Sequence, residues 1–259
     1  MAVERRTPAP VLDLSRPGAI EVEIDVAEAA EVLMSICAVA DAEHHDTFDL
    51  GTEFLGARLE AVPAGLRETA DSLLLGSHKV AAHLLGIVYE TPKPRTFAAF
   101  MERLEATDAV ELKLHLFGHF GGAVEHLSTR DVIERAARGE AAAQEEFLAS
   151  LAEWSDKHAM VKGLLELGAD AVKSRIVELL PLWYEQVFLP HAPEWRAEAE
   201  RDAETKQALA KRHSPAQLVE LATRGYQYTP GPEIRTIVFF PSWWTRPWVI
   251  LWEHKGTKI

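Results

Sequence analysis

The sequence predicts an α+β fold: a predominantly helical domain with a small antiparallel sheet formed by an N-terminal strand and C-terminal strands. Three observations predict it: alternation at residues 19–25, punctuated helical periodicity over about 47–188, and extended sequence rich in Ile, Val, Phe and Trp from residue 234. At 259 residues the chain is long enough to bury a sizeable core without disulfide staples.

Residues 1–17 are Pro-containing and polar and read as a flexible tail, leaving 18–259 as the mainly helical domain. Ile20, Val22 and Ile24 share one face of a two-residue period while the acids between them face water, which predicts a one-sided strand. Asp25 and Glu28 have capping-box spacing ahead of a helix whose stripe is Val26, Ala29, Ala30, Leu33 and Cys37. Between about 47 and 188, breaks near Pro63-Ala64-Gly65, Thr91-Pro92-Lys93-Pro94, Gly121-Gly122 and Gly168 divide the chain into short and medium helices. Asp108 with Glu111 marks one start and Asp170 another. Pro181 either kinks one long helix or separates two. The charged segment Glu194 to His213 reads as a surface helix touching the core through Trp195 and Leu209, or covering a partner subunit.

Ser214-Pro215-Ala216-Gln217 combines an N-cap, an N1 proline and an N3 glutamine, a strong start signal for a short helix ending near Gly225. Residues 234–240 and 247–253 then read as two strands, with Trp248, Ile250 and Trp252 on one face. The last stretch, 248–259, reads as a strand and tight turn whose return partner is expected beyond Ile259.

A formal charge of −13 opposes non-specific attraction to a polyphosphate backbone, so DNA binding by this portion alone is not expected. The single cysteine, Cys37, lies in an apolar run, which excludes an internal disulfide framework and reads as a buried small hydrophobe in a reducing compartment. No run approaches the apolar length of a membrane span and no signal-peptide character follows the N-terminal charges, so the expectation is a cytoplasmic protein.

Candidate chemistry is sparse. His115 and His119 stand one helical turn apart and could turn two imidazoles toward one ion, with His126 or an acid completing the set. There is no His-Glu-x-x-His motif, no Gly-x-Ser-x-Gly, no phosphate-loop glycine spacing and no Cys-His arrangement, so the chain reads as non-enzymatic. The aromatic residues are more informative: Trp183, Trp195, Tyr226, Trp243 and Trp244 are the candidates for a ligand pocket or an interface, since rigid aromatic surfaces bury area at modest entropy cost. Ordinary core packing is the competing reading for each of them.

The order of elements, and above all Pro232-Glu233-Ile234-Arg235-Thr236-Ile237-Val238-Phe239-Phe240-Pro241-Ser242 followed by Pro247-Trp248 and His254-Lys255-Gly256, resembles the portion preceding the DNA-binding domain in a group of large ArsR-like bacterial transcriptional regulators. The likeness spans most of the chain in architecture and is specific mainly from about Gly231 onward. In that group a winged helix-turn-helix follows the final hairpin. The resemblance therefore implies a signal-receiving and dimerisation portion cut short before that domain, with no base-reading residue of its own. It implies a homodimer, a small organic effector, and DNA contact only through the missing C-terminal domain. Small ArsR metal sensors use cysteine-rich or histidine-rich ligand sets that have no convincing equivalent here, and neither a metal nor another cofactor is expected. The alternatives are a helical metal-dependent enzyme using the His115/His119 region, and a scaffold that binds protein through Trp243 and Trp244.

Overall fold

The helix Glu28–Ala40 (α1) organises the fold because it is apolar on every side: Ala29 through Val39 are all buried, Glu31 and Ser35 among them. A computed structural model describes residues 20–74, 79–121, 124, 127–227 and 234–259. The expected tail at 1–17 lies outside these residues, as do His126 and the Gly231-to-Glu233 start of the resembling segment.

Among the described residues twelve further α-helices follow α1: α2 (Gly51–Ala61), α3 (Ala64–Leu74), α4 (Lys79–Ala82), α5 (Leu85–Glu90), α6 (Phe97–Ala106), α7 (Ala109–Leu116), α8 (Arg130–Ala137), α9 (Ala141–Ser150), α10 (Ser155–Glu166), α11 (Ala169–Trp183), α12 (Ala192–Ala210) and α13 (Pro215–Ala222). α1 packs on α2, α4, α5 and α6. The breaks fall where Pro and Gly predict them, between α2 and α3, α5 and α6, and α10 and α11. Pro181 lies inside α11, which passes into a π-helical turn at Tyr184–Phe188 and a 3₁₀ turn at Leu189–His191 before α12.

Local signals hold at two starts and fail at two. Asp108 caps α7 through the amides of Val110 and Glu111, and Ser214 with Gln217 forms a complete capping box on α13. Gly168, not Asp170, is the N-cap of α11. Asp25 and Glu28 do not cap α1, whose N-cap is Ala27 without a side-chain bond. Tertiary partners recruit both carboxylates instead. Asp25 pairs with the buried Arg95, which also bonds Glu23 at 2.5 Å, and Glu28 accepts from the Phe97 amide at 2.9 Å and the Tyr184 hydroxyl at 3.3 Å. Glu23, expected to face water, is thus half-buried in an ion pair.

The small sheet joins the two ends of the described chain, as predicted, in the order β1 (Glu21–Ile24), β2 (Thr236–Phe239), β4 (Thr257–Lys258), β3 (Glu253–His254). Its pairing is mixed. β1 lies parallel to β2 with Val22 opposite Ile237, β2 lies parallel to β4, and only β3–β4 is antiparallel. The helical body between β1 and β2 supplies the long crossover that parallel pairing requires. The return partner expected beyond Ile259 is found within the chain: Lys255 and Gly256 turn β3 into β4, and Trp252 exchanges both backbone bonds with Ile259 at 2.8 and 2.7 Å. Residues 247–252, read as a strand, run instead without regular structure, starting from a turn in which the Trp248 amide donates to the Thr245 carbonyl at 2.8 Å. Pro247 offers no amide to a ladder. Trp248 and Trp252 consequently part company, Trp252 buried and Trp248 57% exposed.

Candidate functional site

The residues that line one groove come from segments far apart in sequence. Ala30 and Met34 of α1, Val219 and Leu221 of α13, Lys206 of α12, Ile237 and Phe239 of β2, and residues 245–251 line a cavity of about 300 Å³. That volume is at the lower end of the range for small-molecule sites. Leu221, Tyr226, Trp248 and Val249 line it while exposing large apolar side chains to solvent. Two of these are held in place. The Trp248 indole donates to the Thr47 hydroxyl at 2.9 Å, and the Tyr226 amide donates to the Thr223 hydroxyl at 3.2 Å just beyond α13.

Behind the groove, Glu31 fixes the connection that leaves β2. Its Oε1 accepts from the amides of Trp243 at 2.6 Å and Trp244 at 2.9 Å, with Ser242 beside it. Burial pushes this carboxyl up to about 7, although the Trp244 amide, Ser242, the Trp243 amide and the Arg246 charge all favour the anion. The clamp delivers Trp243 and Trp244 into an aromatic knot with Phe54 and His191: centroids lie 5.3 Å apart between the two indoles, and 5.7 and 5.9 Å from Phe54 to Trp243 and Trp244.

A second polar cluster lies at the hairpin. Glu90, at the end of α5, accepts from His254 Nε2 at 2.8 Å, Lys255 Nζ at 2.5 Å and Arg103 Nη2 at 2.6 Å. Although burial alone would raise it, Lys255, Arg103 and His254 hold its carboxyl at about 2. His115 stacks on His254 with centroids 5.4 Å apart, and neither ring nitrogen of His115 finds a hydrogen bond of ordinary geometry. Burial first, and the neighbouring His254 second, push the His115 imidazole down to about 3, so it is neutral over the physiological range. His119 is equally buried, but Phe120 packs against both rings, 4.4 Å from His115 and 5.1 Å from His119. Among the described residues no group of three or more His, Cys, Asp or Glu side chains is placed to hold a metal ion.

Of the five aromatic candidates, Tyr226 lines the groove. Trp183, Trp195 and Trp244 lie in the core with at most 2% of their surface exposed, so the contacts they make here are internal. Trp183 Nε1 donates to Ser35 Oγ at 3.0 Å, and Trp195 packs on Phe188. Trp243 is half-buried beside Trp244. Sequence reasoning missed Glu31 and Trp248. Glu31 carried a signal, being an acid set inside the apolar run Ala29-Ala30-Glu31-Val32-Leu33, where burial demands a partner. Glu90 carried none, because its three partners come from other elements. No protein-family model, curated protein or solved structure matches this chain, so its function has to be argued from the site itself.

Proposed function

We propose that this chain is the signal-receiving and dimerisation portion of a bacterial transcriptional regulator, with the groove between α13 and the 245–251 connection as its signal-receiving site. The observation that carries the reading is the composition of the groove wall, which includes Lys258 and Ile259 of the C-terminal hairpin. In the regulators that the chain resembles, a winged helix-turn-helix follows the corresponding hairpin. A ligand in the groove would bear on the hairpin directly, and one that binds two hairpin positions unequally shifts the population between them by that difference in affinity. The formal charge of −13 supports assigning DNA contact to a separate basic domain.

The test is sedimentation of the protein of residues 1–259 together with a DNA-retention assay. The expected result is a dimer that retains no DNA. A strictly monomeric species, or tight DNA retention by this portion alone, counts against the reading. The metal-enzyme alternative draws on buried His115 and His119, and it loses its motivation if the purified protein carries no stoichiometric metal and chelation leaves its unfolding curve unchanged.

A further inference from the structure

The ionisable side chains lining the groove run against the charge of the whole chain. Lys206, Arg224, Arg246 and Lys258 line it with a single carboxylate, Asp202, although the sequence has 27 Lys and Arg against 40 Asp and Glu. Lys206 is paired with Asp202, and Lys258 with Glu253 at 3.0 Å. The two arginines are differently placed. Arg224 is exposed on a turn with φ of 57° and makes no ion pair among the described residues. Arg246 reaches Glu198 only at 3.4 Å, a carboxylate that Arg201 also holds at 2.8 Å. The Arg246 Nε is buried without a hydrogen-bond acceptor among the described residues. The Arg246 side chain is about a third exposed, so its guanidinium keeps accessible surface beside the groove it lines.

We propose that the groove takes a small amphipathic organic anion, an aryl or alkyl carboxylate whose apolar body lies against Val219, Ile237 and Trp248 and whose carboxylate is met by Arg246 and Arg224. This rests on the reading of the groove as the signal-receiving site and names the class of its ligand. The apolar wall supplies binding area at low cost in order, because Trp248 is already held by Thr47. The arginines supply the choice between charge states, through charge-assisted bonds that a neutral isostere of the same shape makes weakly. Two acids compete for Arg246: Glu198, at 3.4 Å and shared with Arg201, and the buried Glu31, whose carboxyl feels the Arg246 charge while accepting from the Trp243 and Trp244 amides.

The experiment is calorimetric titration of the protein of residues 1–259 with 2-naphthoate, 2-naphthamide and 2-naphthylmethylammonium, three probes of one shape and three charges. Naphthoate is expected to bind about ten- to a hundredfold more tightly than the amide, the gain a charged hydrogen bond contributes. The ammonium probe is expected to bind weakest. Arg246→Met and Arg224→Gln should each lower the ratio of naphthoate to amide affinity while leaving amide binding in place. Arg224 is exposed, so Arg224→Gln carries the test even if Arg246→Met unfolds. The proposal is overturned if the amide binds as tightly as naphthoate, if none of the three binds, or if the preference survives in the folded variants. Those outcomes concern ligand class alone, whereas the regulator reading falls on oligomeric state and DNA binding, which the titrations do not measure.

Discussion

Glu31 is the side chain that ties the exit from β2 to the aromatic knot, and its ionisation carries a pH signature. Its folded carboxyl sits at about 7 against an ordinary 4.5. The folded state therefore holds the proton more tightly than the unfolded chain. Stability from this group is complete below about 4.5 and is lost as pH rises through about 7, by roughly 3 kcal/mol. Glu31→Gln keeps an acceptor for the Trp243 and Trp244 amides and removes the titration. Urea unfolding at pH 5 and pH 8 should show the variant losing less stability than the parent across that interval; equal losses would contradict the assignment. His115 works in the opposite sense. A buried imidazole held at about 3 against 6.5 contributes stability that is present above 6.5 and lost as pH falls. His115→Phe retains an aromatic ring in the stack and removes the ionisation, so its stability should decline less steeply than the parent's between pH 6.5 and 4. A steeper decline would show that the imidazole is protonated in the fold.

At the scale of elements, legibility followed locality. The Asp108 N-cap and the Ser214 capping box were readable because every atom involved lies within a few residues, and the chain does nothing else with them. Asp25 and Glu28 had the same pattern and a different fate, since Arg95, the Phe97 amide and Tyr184 compete for the same carboxylates from more than 65 residues away. The segment 247–251 alternates like a strand, yet its residues line the groove and join no ladder. Packing between elements makes its own prediction. A Cβ on Gly86 of α5 would come within 2.5 Å of His254 Nδ1 on β3, a ring fixed by Glu90 and stacked on His115. Gly86→Ala should destabilise the fold by about 1–3 kcal/mol through overpacking, measured by thermal melting. A second substitution, His254→Ala, would open the space, so the double variant should cost less than the sum of the singles. Additive costs would show that the contact is not the cause.

For the whole molecule, the helical body with a sheet drawn from both ends was legible in its periodicities, which switch from two to 3.6 and back. The parallel sense of β1 and β2 was not, because alternation fixes which face is buried and says nothing about strand direction. The groove was illegible for a related reason: α1, α12, α13, β2 and the 245–251 connection each look ordinary alone, and only their meeting creates an apolar cavity edged by arginines. Of its lining, Tyr226 was singled out beforehand, whereas Trp183, Trp195 and Trp244 lie in the core.

The role proposed for this chain is to receive a signal for a DNA-binding regulator. It is tested most directly by footprinting the intact gene product on the DNA upstream of its own gene, with and without naphthoate, alongside the protein of residues 1–259. The expected result is a protected site for the intact dimer, a change in protection when the groove is filled, and no protection by residues 1–259 alone. An intact gene product that protects no DNA under any of these conditions would contradict it.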